Sequence, residues 1–145
     1  MTPWLWIAVT LMSGHSDALQ LAAHADSAGV PLPVALAVAW QESRSGAKGN
    51  AYRGREDERG RFQLHPRGSW RRTTYGDARC TLLRVTRSYD DNLHCGLRHL
   101  AALARNCGSW SCAIERYNGR GPRARAYRER ALAYIGRLSL GEVPP

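Results

Sequence analysis

Leu36-Ala37-Val38-Ala39-Trp40-Gln41-Glu42-Ser43 is the stretch on which the reading of this chain turns. Pro33 suits the first turn of a helix, where its missing N–H is not needed, and Val34 to Trp40 supply apolar helix material. Glu42 lies four residues after Val38 and seven after Ala35, so a 3.6-residue repeat sets it on their apolar face. Burial makes a carboxylate costly to ionise, and in the last turn of a helix the dipole opposes negative charge. Both effects raise a carboxyl pKa, as a general acid working near neutral pH needs. Arg44 is expected to point to solvent and leave that shift in place. The plainer reading is that Glu42 merely rims the helix end.

Two segments further on change the balance. Gly60-Arg61-Phe62-Gln63-Leu64-His65-Pro66 follows a polar loop, and Tyr117-Asn118-Gly119 comes much later. A Glu-Ser closing an apolar helix, then Gly-x-x-Gln-hydrophobic-x-Pro, then Tyr-Asn-Gly, resembles the catalytic domain of soluble lytic transglycosylases. That domain is a small relative of goose-type lysozyme and acts on bacterial cell walls. Each motif is short; their order and spacing carry the likeness, over roughly residues 19–136 of a catalytic domain read as 19–138.

The resemblance implies a mostly α, lysozyme-like fold with two helical lobes flanking a substrate cleft. It places Glu42 on the single catalytic glutamate and Ser43 on the serine beside it. Gly60 and Gln63 fall on a Gly-Leu-Met-Gln segment that lines the cleft. Tyr117 and Asn118 fall on an Ala-Tyr-Asn-Ala-Gly segment, and Tyr127 falls near a tyrosine that follows it. Arg61-Phe62 stands where relatives carry Leu-Met, so Phe62 is expected to reshape a sugar subsite. Arg116 and Arg120 replace alanines around Tyr-Asn. The implied reaction cleaves the β-1,4 bond between N-acetylmuramic acid and N-acetylglucosamine and leaves a 1,6-anhydro end. No metal or cofactor is required.

The residues leave other readings open. Glu56-Asp57-Glu58, set among Arg53, Arg55 and Arg59, reads first as a self-paired, solvated surface. Its sharper reading supplies Asp57 or Glu58 as the second carboxylate of a water-using muramidase. A non-catalytic peptidoglycan-binding module is the third. Gln63 carries both a donor and an acceptor for an N-acetyl group, and the Tyr117 hydroxyl is expected to aim at the carboxylate or at that group. Trp70 and Tyr75 are available to stack on sugars, although Trp70 equally suits pinning its loop to the core.

A chain of 145 residues is large enough to bury a core without staples, and 43% hydrophobic with 23% charged residues is a globular composition. The net charge of +9, with Lys48 the only lysine, favours anionic partners. No nucleic-acid motif accompanies it, and the resemblance implies peptidoglycan as the partner, reached alone or through a secretion, conjugation or phage assembly. Trp4 to Met12 is too short to span a bilayer but fits the core of an export signal, with Ser16 and Ala18 as small residues at a cleavage point. No Lys or Arg precedes that run, so a buried first helix or phage delivery competes with export to the periplasm or cell envelope. Residues 1–18 are read as this leading segment and 139–145 as a flexible tail.

Cys80, Cys95, Cys107 and Cys112 are an even set. A helix from Asp90/Asp91 to Arg105 would hold Cys95 and Cys107 about 15 Å or more apart at ~1.5 Å per residue, beyond the roughly 7 Å a disulfide spans. Cys107–Cys112 with Cys80–Cys95 is therefore favoured, against Cys80–Cys107 with Cys95–Cys112. A zinc site from Cys95, His99 and another cysteine has no supporting CxxC or HExxH spacing. Other helices are expected from Asp17 or Ser16 to Ala28 with Leu19, Ala22, Ala23 and His24 on one side, over Thr81–Ser88, from Ser109 or Ser111 to Asn118, and from Pro122 to Arg137.

Overall fold

Val30 cannot continue a helix, because a residue before a proline is pushed out of the helical region. Leu32-Pro33, expected as part of an extended connector, instead opens the next helix with the proline in its first turn. The chain turns there between two helices, α1 (Ala18–Ala28) and α2 (Leu32–Ser43), and Gly29 closes the first in the left-handed conformation at φ 70°. This computed structural model describes residues 14–49 and 52–141. The Trp4–Met12 run and residues 142–145 of the expected tail lie outside them.

Five more helices follow: α3 (Trp70–Thr73), α4 (Leu82–Arg87), α5 (Tyr89–Cys107), α6 (Trp110–Asn118) and α7 (Pro122–Ser139). Thr81, Ser88 and Ser109 cap α4, α5 and α6 with side-chain oxygens that accept from the third residue on. Between α2 and α3, two isolated antiparallel bridges, Arg53–Arg59 and Arg59–Leu64, fold residues 52–64 into a tight double turn. The protein is thus mostly α, with seven helices and no extended strand among the described residues.

α2 is the central element. Ala35, Leu36, Ala37, Val38 and Ala39 are all fully buried, which explains why its sequence is apolar on every side but the last turn. It packs on α1, α6 and α7, while α5 supplies Leu93, Leu97 and Leu100 to the same core, the stripe expected from its sequence. Phe62 lies against the backbone of α5 at Gly96, where a Cβ would collide with the ring; the glycine permits this close approach.

α1 differs from its expected facing. Leu21 and Ala25 are buried and Leu19 is 63% exposed, because the helix presents the 18–21–25 stripe to its neighbours. Asp17 is not a side-chain cap either; it turns inward to Arg61. His15 and Asp17 are buried in the domain, and exposed Ser16 is tied to it through its backbone. His15 Nε2 meets Tyr134 Oη at 2.7 Å, and Ser16 N donates to Ser45 O at 2.8 Å. The packed unit therefore includes residues that the sequence reading assigned to the leading segment.

Two disulfides are formed, Cys80–Cys95 and Cys107–Cys112, with Cα atoms 5.5 and 5.8 Å apart. They are the favoured pairing. The first fastens the loop before α4 to α5 and closes a 15-residue separation, worth about 3 kcal/mol of unfolded-chain entropy. The second locks the α5–α6 corner, where Gly108 is left-handed. Among the described residues no helix is long and apolar enough to cross a membrane.

Candidate active site

The apolar periodicity of α2 leaves Glu42 in its final turn, on the side of Ala35 and Val38, facing α7. Tyr127, buried in α7, donates its hydroxyl to Glu42 Oε1 at 2.6 Å. Protein surrounds the carboxyl, yet the residue keeps partial exposure, so a ligand can reach it. Burial lifts its pKa to about 7; the Tyr127 hydrogen bond pulls the other way, and the negative charge of Glu58 adds to the rise. At neutral pH the acid is therefore poised between its two forms.

Tyr117, on α6, is the second aromatic at this position. Its hydroxyl donates to the Phe62 carbonyl at 2.7 Å, and burial together with the Glu42 charge pushes its pKa well above the ordinary tyrosine value. Tyr127 is pushed the same way by burial and by Glu42. Both phenols thus stay protonated and act as donors. Of the residues singled out in the sequence, Tyr127 contacts the Glu42 carboxyl and Tyr117 lies within reach of its charge. The Tyr117 hydroxyl, expected to aim at the carboxylate or an N-acetyl group, is turned instead to the Phe62 carbonyl.

The 60–64 turn carries the next group. Gln63 adopts φ 47°, and its Nε2 donates to Gly60 O at 2.8 Å and to Tyr52 O at 3.3 Å. Its Oε1 and the Glu58 carboxylate converge over Gly54, where any Cβ would collide with both. Glu58 Oε2 accepts from Glu56 N at 3.0 Å. Asp57, by contrast, is exposed and bonded to Arg53 and Arg59 at 3.2 and 3.0 Å. The acidic cluster divides: Asp57 is a paired surface residue, and Glu58 is the one whose charge reaches Glu42.

Two expectations are corrected, for Phe62 and Ser43, and the open alternative at Trp70 is decided. Phe62 is fully buried, so its ring is core and shapes no open subsite. Ser43 is buried too; its Oγ donates to Arg61 O at 2.7 Å and accepts from Arg61 Nη1 at 3.0 Å, tying the end of α2 to the turn. Its role is positional. Trp70 is 2% exposed and donates Nε1 to His65 O at 2.7 Å, pinning its loop and offering no stacking face. Gly60 is buried at the head of the turn, its N donating to Tyr52 O, and Asn118 is exposed at the exit of α6.

Sequence reasoning missed two residues that build the site. Arg61, read only as a departure from Leu, is wholly buried and donates to Ala39 O, Ser43 Oγ and Arg44 O at the carboxyl end of α2. Asn92 of α5 is wholly buried, accepting from Phe62 N at 2.9 Å and donating to Arg59 O at 3.0 Å and Val85 O at 3.1 Å. It fastens the turn from the other side. The signal available was a polar residue just ahead of the apolar stripe of α5.

Asp77, Cys80 and His94 set a carboxylate oxygen, a sulfur and an imidazole nitrogen within 4.8 Å of one another. These groups are already engaged. Cys80 is bonded to Cys95, which also removes that sulfur from the zinc set considered above, and Asp77 binds His94 at 2.7 Å and Arg98 at 3.3 Å. A hollow of about 310 Å³ between α1 and α5, lined by His24, His94, Arg98 and Arg105, shares no residue with the Glu42 group.

No protein-family model, no curated protein and no solved structure matches this chain.

The Tyr127 hydroxyl gives a direct test of how the acid is tuned. Because that hydrogen bond favours the charged form, Tyr127→Phe raises the Glu42 pKa further above neutral, by about one unit for a bond to a charged group worth about 1.5 kcal/mol. Titration of the Glu42 carboxyl carbon by NMR measures it; an unchanged or lowered midpoint contradicts the assignment.

Proposed function

We propose that the protein is a peptidoglycan lytic transglycosylase, cleaving the β-1,4 bond between N-acetylmuramic acid and N-acetylglucosamine. The single observation that carries this reading is Glu42, a reachable carboxyl with a pKa of about 7, held by Tyr127 and flanked by Tyr117. A carboxyl at that midpoint can give and then take a proton at the same pH. In this reading the helices form two lobes, with the glycan lying across the end of α2.

Protonated Glu42 donates to the glycosidic oxygen as the bond to C1 of the muramic acid breaks. The substrate's own N-acetyl oxygen stabilises the positive charge growing at C1. Glu42, now ionised, removes the proton from the C6 hydroxyl, and that oxygen closes on C1 to give the 1,6-anhydro ring. The carboxyl ends as it began, protonated, and no water is consumed. Tyr127 keeps the acid oriented through both proton transfers. Gln63, whose amide N–H groups hold Gly60 O and Tyr52 O, has its Oε1 left to accept from an N-acetyl N–H, and Asn118 and Tyr117 border the sugar.

A second reading is favoured by one observation. Glu58 senses Glu42 and leans over Gly54 beside Gln63, where an inverting muramidase would keep a base for water. Two disulfides suit an oxidising compartment, so the site of action is the periplasm or cell envelope, with delivery by export or by a phage and recruitment by a secretion, conjugation or phage assembly.

Mass spectrometry of digested peptidoglycan separates these. Anhydro ends, made equally well by Glu58→Gln, support the transglycosylase. Reducing ends that vanish in Glu58→Gln assign the muramidase. Wall binding with no muropeptide release by the wild type leaves a binding module and overturns both.

A further inference from the structure

Some of the arginines that crowd the sequence are answered by acids: Arg53 and Arg59 by Asp57, Arg61 by Asp17, Arg79 by Asp90 and Asp91, Arg84 by Asp91, Arg98 by Asp77, Arg128 by Glu115. Among the arginines with no such pair, Arg67, Arg71 and Arg72 stand out by sharing one space. Together with Tyr75 they line one open hollow of about 650 Å³, and among the described residues no carboxylate pairs with any of them. Tyr75 is 93% exposed.

The hollow sits on a rigid mount. Buried Trp70 anchors the one-turn helix α3, Thr74 Oγ1 donates to Trp70 O at 2.6 Å, and Arg71 Nη1 donates to Pro66 O at 3.2 Å. Thr73 Oγ1 meets His99 Nδ1 at 2.7 Å, and the His99 ring lies 5.4 Å from that of Tyr117. The same chain of contacts therefore supports the hollow and the Glu42 group. Three like charges gathered around one space repel each other, and an anion relieves that repulsion.

We propose that the Arg67–Arg71–Arg72–Tyr75 hollow binds a phosphodiester-bearing polymer of the cell envelope. Guanidinium forks match phosphate oxygens in pairs, and three forks around one space exceed what a single carboxylate can accept. The exposed tyrosine ring supplies a flat apolar face for sugar or polyol carbons along the polymer. The disulfides suit an oxidising compartment, where envelope polymers, rather than nucleic acids, are the abundant polyphosphates. The choice of polymer rests on the wall-degrading reading; the hollow's chemistry does not.

Binding of full-length protein to poly(glycerol phosphate), polyglutamate and single-stranded DNA tests this by calorimetry at fixed salt. Wild type is expected to bind poly(glycerol phosphate) at least tenfold tighter than polyglutamate and tighter than DNA. Changing Arg67, Arg71 and Arg72 together to alanine removes at least tenfold of that affinity, and changing all three to lysine, which keeps the charge and an unaltered fold, removes about threefold. Equal binding by the alanine variant, equal binding of polyglutamate, or a preference for DNA each overturns the proposal. Cleavage of polymer-free glycan strands by the alanine variant is expected at the wild-type rate. If wild type binds the phosphate polymer yet cleaves no glycan, the wall-cleaving reading fails and the hollow stands.

Discussion

Glu42→Gln is expected to stop glycan cleavage and, above neutral pH, to make the folded protein more stable. Loss of a general acid–base group lowers a rate by roughly 10²–10⁴-fold. The stability gain follows from the raised pKa. Folded Glu42 titrates near 7, against 4.5 for the free side chain, so between those values the folded state keeps a proton that the unfolded chain has released. Folding is then favoured at low pH, and that advantage is lost as pH rises from about 4.5 through 7. Above 7 the buried charge costs up to about 3 kcal/mol, trimmed by the partial exposure of the side chain. Glutamine keeps the shape, still accepts from Tyr127 and carries no charge. Urea unfolding should therefore show Glu42→Gln about 1–3 kcal/mol more stable at pH 8 and equal to wild type near pH 4. Wild-type cleavage by the variant, or a stability difference independent of pH, rules out the assigned role.

Asp17→Asn is expected to be the most damaging single change to the fold. The Arg61 side chain has no solvent exposure and that of Asp17 only 5%, and the carboxylate accepts from Nε at 2.9 Å and from Nη2 at 3.0 Å. Tyr89 donates to the same carboxylate, and Arg61 Nη2 also meets His15 Nδ1. His15 stays neutral there, its pKa held at about 3 by burial and by the guanidinium. Neutralising Asp17 strands a buried cation, which costs roughly 3–5 kcal/mol and, for a domain of this size, about 10 °C in Tm. Replacing the pair together, Asp17→Leu with Arg61→Met, should recover most of the loss, since an apolar pair of similar volume avoids the desolvation. Thermal unfolding of the two variants checks both statements. A melt within a degree of wild type for Asp17→Asn would mean that the ion pair does not hold the domain. Because Arg61 also holds the Ala39 and Arg44 carbonyls, the same variant should disturb the Glu42 titration.

This coupling shows how the site is assembled. The end of α2 is fixed by Arg61, the 60–64 turn is fixed by Asn92, and Tyr117 closes on the turn through the Phe62 carbonyl. Glu42 is thus presented by a helix that cannot slide, and its proton affinity is set by what packs around it.

What the sequence determined by itself was local. The 3.6-residue repeat placed Glu42 on the Ala35–Val38 face, prolines and glycines marked the helix ends at Pro33, Gly29, Gly119 and Pro122, and the rise of α5 separated Cys95 from Cys107 and so favoured the disulfides that form. These follow from backbone geometry over a few residues. The tertiary structure decided everything that depends on partners far apart in the chain. Asp17 reads as a helix cap until Arg61, forty-four residues on, claims it; Leu19 reads as core until α1 turns its other stripe inward. Phe62 reads as a pocket wall until Gly96 makes room for its ring, and only the meeting of α2 with α7 puts Tyr127 on Glu42. A local pattern fixes which face a residue shares, whereas burial and pairing of charge depend on which other face arrives there.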